Sequence, residues 1–344
     1  MDLEANLSPS FDLDKGSRNT EVFVALTASE LPDSVFRAND IRGIAGTEIT
    51  PQFARQLARA FASVAKSQNQ TNICICRDGR ISSAALSESL KLGLTESGCR
   101  VFDLGSGPTP LLGQYIATQA EHSTGIMITA SHNPKQYNGF KIILNGDPYS
   151  GEKLQDLKRL MANAIFVAGD GGLSEIDATL SYLASVKADI VSLKGIKLAL
   201  DGSNGIAGPI ACQALKQLDC SIEPLYCEVD GNFPNHGPDP CESSNLTELT
   251  KLVVATDCSF GIALDGDGDR MVAVDNLGKI ITPDQLYLLF ANDLLSKNPG
   301  ASLVFDVKAS RQLANKILDW AAHLLWSDQA EPLFKIVSKL AGRS

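Results

Sequence analysis

The chain carries no excess of positive charge: 30 Lys and Arg stand against 40 Asp and Glu in 344 residues, a formal charge of −10. A general nucleic-acid binder needs a basic face to neutralise phosphates, so this balance argues against that class. A phosphorylated small molecule needs only a few local cations and stays compatible with it. No uninterrupted apolar run approaches the roughly 18–20 residues of a membrane-spanning helix, so no membrane partner is expected. The eight cysteines contain no Cys-x-x-Cys pair; Cys74-Ile75-Cys76 is the tightest spacing. That argues against zinc, thioredoxin-like chemistry and a disulfide scaffold, and they read as reduced cytoplasmic thiols. Residues 1–30 are polar and aperiodic, lack the basic-then-apolar order of a secretory signal, and read as a flexible leader.

What the chain does have is alternation. Positions 51–66 show helical spacing through Phe53, Leu57, Phe61 and Val64, with Thr50 as a cap and Pro51 in the first turn. Strands are expected at 72–76, 101–104, 125–129 and 139–144, with helices at 83–96 and 152–164. A second set follows, with helices at 182–193, 209–218 and 246–255 and strands at 196–200, 223–229, 260–264 and 271–274. A third set has helices at 283–295 and 310–322 around one strand at 303–307. This pattern predicts an α/β fold of tandem similar domains with mixed, mostly parallel sheets. The expected domains are 31–175, 176–280 and 281–322, followed by an atypical tail at 323–344 without alternation. An α/β layer of about 100 residues needs several strands to cover its apolar faces, so the third domain is expected to be incomplete.

The sharpest motif is Leu-Asp-Gly-Asp-Gly-Asp-Arg at 264–270. In an extended loop Asp265, Asp267 and Asp269 project to one side and can converge on a hard divalent cation. Without a cation three clustered carboxylates repel one another. A solvated acidic turn is the alternative. A calcium EF-hand fits poorly, because Arg270 and Asn276 stand where its glycine and its twelfth-position glutamate belong. At 129–134 the chain reads Thr-Ala-Ser-His-Asn-Pro, and Ser131 beside His132 suits nucleophilic or phosphoryl-carrier chemistry. The same residues also fit a turn or helix cap. A Ser-His-Asp hydrolase lacks its Gly-x-Ser-x-Gly elbow here.

Candidate cations complete the set. Arg37 and Arg42 share a glycine-ended loop at 36–43 suited to phosphate oxygens; solvated surface arginines are the alternative. Lys141 and Lys308 occupy strand positions where lysine is unusual. Cys-Arg-Asp-Gly-Arg at 76–80 reads as an ion-paired turn. Asp-Gly-Ser-Asn-Gly at 201–205 reads as a strand-to-helix turn or a phosphate cradle, and residues 230–234 as a turn.

Taken in order, FRANDIRG, CRDGR, GPTP at 107–110, TASHNP, YNGFK, DGSNG, DGNFPNHGPDP, DGDGDR and FDVKASR resemble the α-D-phosphohexomutase family, most closely its bacterial phosphomannomutase/phosphoglucomutase branch, over residues 34–322. The resemblance implies reversible transfer of a phosphoryl group between C1 and C6 of a phosphorylated hexose, through a phosphoserine and a bisphosphate intermediate. It makes 31–175 the phosphoserine-carrying domain, with Ser131 as carrier flanked by His132 and Asn133. It makes 176–280 the metal-binding domain, with Asp265, Asp267, Asp269 and the serine phosphate holding Mg²⁺. Arg42, Lys141 and Arg270 would lie near the reacting phosphate and Lys308 would face the sugar. The acid and base are left among Lys141, Arg42 and His132. A glucose 1,6-bisphosphate-type activator is implied as well.

The chain also departs from the family. Asn39 stands where many bacterial members have tyrosine, and Ala321-Ala322-His323 where a glycine pair is usual. The third-domain Glu-x-Ser-Gly-His loop and the fourth domain's Arg-x-Ser-Gly-Thr loop are absent, so the fourth domain is expected to be missing. A truncated or frame-shifted product with impaired mutase activity is therefore expected, because remote phosphate binding helps position the reacting centre. The competing expectations are an inactive or slowly hydrolytic remnant and a module without phosphoryl chemistry. The choice among mannose, glucose and glucosamine phosphates, and the oligomeric state, are left open.

Overall fold

The computed structural model describes residues 23–119, 121–190, 192–306, 309–320 and 323–327. The first domain runs β1 (Ile41–Ile44), α1 (Pro51–Ser67), β2 (Asn72–Arg77), α2 (Ser83–Glu96), β3 (Arg100–Ser106), α3 (Thr109–Thr118), β4 (Gly125–Ile128), β5 (Tyr137–Leu144), β6 (Asp147–Pro148), α4 (Glu152–Asn163) and β7 (Gly172–Glu175). Its strands lie in the order β1-β5-β4-β2-β3-β7, with β6 against β5. Strands β4, β2, β3 and β7 are parallel, and β5 and β1 join them antiparallel.

Alternation along β2 sends its residues to two different cores. Ile73 and Ile75 pack beneath α1, α2 and α4, while Cys74 and Cys76 face α3. Helix α1 starts where expected, because Thr50 accepts a hydrogen bond from the Phe53 amide and Pro51 opens the first turn.

The second domain comprises α5 (Thr179–Asp189), β8 (Lys197–Asp201), α6 (Ala207–Gln217), β9 (Ser221–Leu225), α7 (Thr247–Ala255), β10 (Phe260–Leu264), β11 (Met271–Asp275) and β12 (Ile280–Ile281). Strands β10, β8 and β9 are parallel, and β11 and β12 extend the sheet antiparallel. The third unit contains α8 (Pro283–Lys297), β13 (Ser302–Asp306), α9 (Arg311–Asp319) and β14 (His323–Ser327).

The structure corrects several expected boundaries. The third unit does not end at 322 with a single strand: β14 pairs parallel with β13 from Ser302↔His323 onward, inside the segment read as an atypical tail. Its partner lies a helix away, so no local turn announces it. The leader is not loose throughout, since the Leu26 backbone exchanges hydrogen bonds with buried Gln56 and Phe23 stacks beside Arg55 and Arg59. Its first 22 residues lie outside the described residues. Strand β9 stops at Leu225 rather than 229, where Tyr226 turns left-handed with φ 49°. Helix α3 and strands β1, β6, β7 and β12 have no counterpart in the sequence reading, which left Arg42 in a loop rather than on β1.

Candidate active site

Two strand-to-loop exits face each other across the first two domains. After β4 the chain enters Thr129–Pro134, and after β10 it enters the loop Asp265–Arg270. Ser131 is fully buried, and its hydroxyl donates to Asp265 Oδ2 at 2.6 Å. The serine backbone sits at φ 53°, a left-handed conformation that costs a side-chain-bearing residue about 1–2 kcal/mol. Its amide is held by Thr129 Oγ1 at 2.8 Å. Such a conformation persists only where the surroundings impose it.

The glycines of the acidic loop make this approach possible. A Cβ on Gly266 would lie 2.6 Å from the Ser131 carbonyl oxygen, and Gly268 has φ 72°. Ligand oxygens of Asp265, Asp267 and Asp269 lie within 4.8 Å of one another. Asp265 and Asp267 are fully buried, and Asp267 Oδ1 is buried without a partner. Three hard carboxylate donors beside a hydroxyl, one oxygen left unsatisfied, form a set that fits a divalent cation.

Lys141 on β5 reaches the same loop. Its ammonium donates to Asp267 Oδ2 at 2.6 Å and to Asp269 Oδ2 at 2.5 Å. Burial pulls the Lys141 pKa down, but the two carboxylates outweigh burial and raise it. Asp267 responds in the opposite sense: burial pushes its carboxyl up, but Lys141 overrides that and holds it low. Asp265 is raised well above the usual carboxylate range by burial and by its two acidic neighbours. The loop thus distributes its charge unequally among three like residues.

The first-domain cations and the histidine sort by distance. Arg42 is buried, donates to Asn133 Oδ1 at 2.8 Å and pairs with Asp40. Its Nε is buried with no partner. Arg270 donates to His132 Nδ1 at 2.7 Å, and that nitrogen is 3.5 Å from Ser131 Oγ. Burial, then the Arg270 charge, push His132 down to about 4, so it is neutral near pH 7. Arg37 stays exposed, with no side-chain partner among the described residues. Lys308 lies outside the described residues.

Sequence reasoning passed over the residues that align these parts. Thr109, at the start of α3, donates through Oγ1 to Asp267 Oδ2 at 2.5 Å and through its amide to the Asp267 carbonyl at 2.9 Å. The 76–80 turn is ion-paired as expected, through Arg80 and Asp78 at 3.2 Å, yet its arginine also reaches the Ser131 carbonyl at 2.8 Å. The 201–205 segment forms the expected strand-to-helix turn between β8 and α6. Ser203 Oγ donates to the Leu264 carbonyl and Asn204 Nδ2 to the Glu228 carbonyl, tying the loops of the second domain together. His236 Nε2 meets buried Asp201 Oδ2 at 3.0 Å. Apart from the Arg80–Asp78 pair, each of these is a contact between distant segments that spacing along the chain does not encode.

Residues 33–168 match the phosphoglucomutase/phosphomannomutase alpha/beta/alpha domain I, and residues 180–278 match domain II. A phosphomannomutase/phosphoglucomutase of Pseudomonas aeruginosa is 44% identical over 83% of this chain. The chain spans 62% of that relative's length. A Pseudomonas putida protein of the same name is 41% identical over 92% of the chain and 68% of its own length. A crystal structure of a phosphoglucomutase/phosphomannomutase family protein from Burkholderia thailandensis superposes with a TM-score of 0.85 at 37% identity. It is matched over 90% of this chain and 69% of its own.

Proposed function

Because the chain belongs to the phosphoglucomutase/phosphomannomutase family, we propose that it moves a phosphoryl group between C1 and C6 of a hexose phosphate, with Ser131 as the carrier. The observation that carries this reading is the 2.6 Å contact between Ser131 Oγ and Asp265 at the junction of two domains. Asp265, Asp267, Asp269 and the Ser131 oxygen would hold Mg²⁺, which when bound neutralises charge on the phosphoryl oxygens.

The protein's own share of the work is positioning and charge. A sugar hydroxyl oxygen attacks the phosphorus on Ser131, the P–Oγ bond breaks, the hydroxyl proton passes to a base, and the serine oxygen regains a proton. The second transfer reverses these bonds at the other end of the sugar, so phosphate is conserved overall. Arg42, with its unpartnered Nε, and Arg270 supply N–H donors for the transferring group. Lys141 is held as an ammonium by two carboxylates and acts as a charge rather than a base. His132 is the uncharged member of the three acid–base candidates, and Arg270 at Nδ1 fixes its proton on Nε2. Asn133 orients Arg42. Ser131 has no accessible surface, so transfer requires the groups that cover its hydroxyl to move.

A glucose 1,6-bisphosphate-type activator would load the serine. The test follows glucose 1-phosphate and mannose 1-phosphate by phosphorus NMR, with Mg²⁺ and catalytic bisphosphate. Formation of the 6-phosphates by the wild type and not by Ser131→Ala is expected. Release of inorganic phosphate without sugar isomerisation would replace the mutase reading with a hydrolytic one.

A further inference from the structure

One buried cation beneath the carrier loop has no part in the phosphoryl transfer itself. Arg80 is 2% exposed. Its Nη1 donates to the carbonyls of Pro134 at 2.8 Å and Tyr137 at 3.1 Å, and its Nη2 to those of Ser131 at 2.8 Å and Asn133 at 2.6 Å. Its Nε meets Asp78 Oδ2 at 3.2 Å. Asp78 is itself fixed, accepting from the Arg80 amide at 3.0 Å and the Ser83 hydroxyl at 2.5 Å. All three guanidinium nitrogens are therefore committed, and four of their five acceptors belong to the segment 131–137.

We propose that Arg80 is a positioning residue for phosphoryl transfer: it sets the backbone of residues 131–137 so that Ser131 Oγ points at Asp265. The proposal rests on Ser131 being the phosphoryl carrier. Four carbonyls converging on one buried point repel one another unless a donor sits among them, and an unmet buried carbonyl is costly. A planar guanidinium has five N–H groups in a fixed fork and serves them together. An ammonium offers three donors from a single atom and cannot span the same set. The left-handed backbone of Ser131 needs such an external hold.

Arg80 also ties the loop to the second domain. The Phe233 ring covers its guanidinium at 5.1 Å, and a Cβ on Gly231 would lie 2.7 Å from both the Gly79 carbonyl and the Ile81 amide. On its other side the Ser131 carbonyl meets Gly266 of the acidic loop. The two domains therefore close on the serine from opposite sides, and the guanidinium fixes one of them. Arg80 hydrogen-bonds neither the Ser131 hydroxyl nor an aspartate of the acidic loop, and Arg80→Lys keeps the positive charge that acts on Asp267, so that change alters aim rather than ligand identity.

The experiment measures how fast Ser131 gains phosphate from glucose 1,6-bisphosphate by rapid quench and peptide mass mapping, in wild type, Arg80→Lys and Arg80→Ala. Thermal melting reports folding and calorimetry reports Mg²⁺ affinity. Arg80→Lys is expected to fold, to keep its Mg²⁺ affinity and half-saturating bisphosphate, and to phosphorylate about 10²-fold more slowly. Ethylguanidinium is expected to restore part of the rate to Arg80→Ala and none to the wild type. Guanidinium compounds weaken folds in general, so restoration marks a filled site. A folded Arg80→Lys that loads Ser131 at the wild-type rate overturns the proposal. Loss of the fold in Arg80→Lys also overturns it, by making Arg80 a residue of stability alone. A wild type that never acquires phosphate overturns the carrier reading instead.

Discussion

Ser131 Oγ and Asp265 Oδ2 meet at 2.6 Å although 134 residues separate them. The serine lies in the loop after β4 of the first domain and the aspartate follows β10 of the second, so the proposed catalytic arrangement exists only where the two sheets are docked. Asp265→Asn keeps the shape but removes a carboxylate from the proposed Mg²⁺ site. Turnover is expected to fall about 10²–10³-fold, the range seen when one electrostatic partner of a transition state is lost. Steady-state rates at saturating Mg²⁺, beside Mg²⁺ titration calorimetry, check this.

Lys141 is the only ammonium bonded to Asp267 and Asp269 among the described residues. Lys141→Met strands a buried carboxylate beside its neighbours and is expected to cost about 3 kcal/mol, the low end for a broken buried pair, because Lys141 is partly exposed. A divalent ion would restore the missing positive charge. Melting curves with and without Mg²⁺ should therefore show a larger Mg²⁺-induced rise in the variant than in the wild type.

Gly266 has no room for a side chain, because a Cβ there would press on the Ser131 carbonyl at 2.6 Å. Gly266→Ala is expected to slow transfer by moving the carrier loop, with the fold retained. Gly172 lies on the exposed edge strand β7, where an added Cβ would meet nothing within 4 Å, and Gly172→Ala serves as the silent comparison. Activity and melting temperature measured together separate a misaimed serine from an unfolded one.

His236 gives the chain a pH-dependent anchor. Burial alone would lower its pKa, but hydrogen bonds to Asp201 and the Gly237 carbonyl, with the Asp201 charge, outweigh burial and raise it above 6.5. A raised folded-state value means the stabilisation is fully present below the unfolded value and is lost as pH rises through the folded one. His236→Gln should therefore lower the melting temperature more at pH 6 than at pH 9. An equal loss at both would place the contribution in packing against Tyr226 rather than in charge.

The local signals in the sequence were those with a short-range cause. The cap at Thr50, the apolar spacing of α1 and the Asp-Gly alternation at 265–269 each depend on near neighbours, so their structures could be read directly. Strand β14 needs β13, the Thr109 hydroxyl needs Asp267, and the buried Arg80 needs a loop 50 or more residues away. Those pairings come from sheet order and domain docking. Spacing alone marked Lys141 as an unusual strand lysine and the family resemblance put it near the reacting phosphate, but its bonds to the acidic loop appear only once β5 brings it there.

In the proposed reaction the buried Ser131 hydroxyl, held against the aspartate loop, carries the phosphoryl group. Incubation with Mg²⁺ and glucose 1,6-bisphosphate followed by intact-mass and peptide mapping tests it most directly. One phosphate per chain is expected on Ser131, moving to added hexose monophosphate and absent from Ser131→Ala. A chain that stays unmodified, or is modified at another residue, would contradict it.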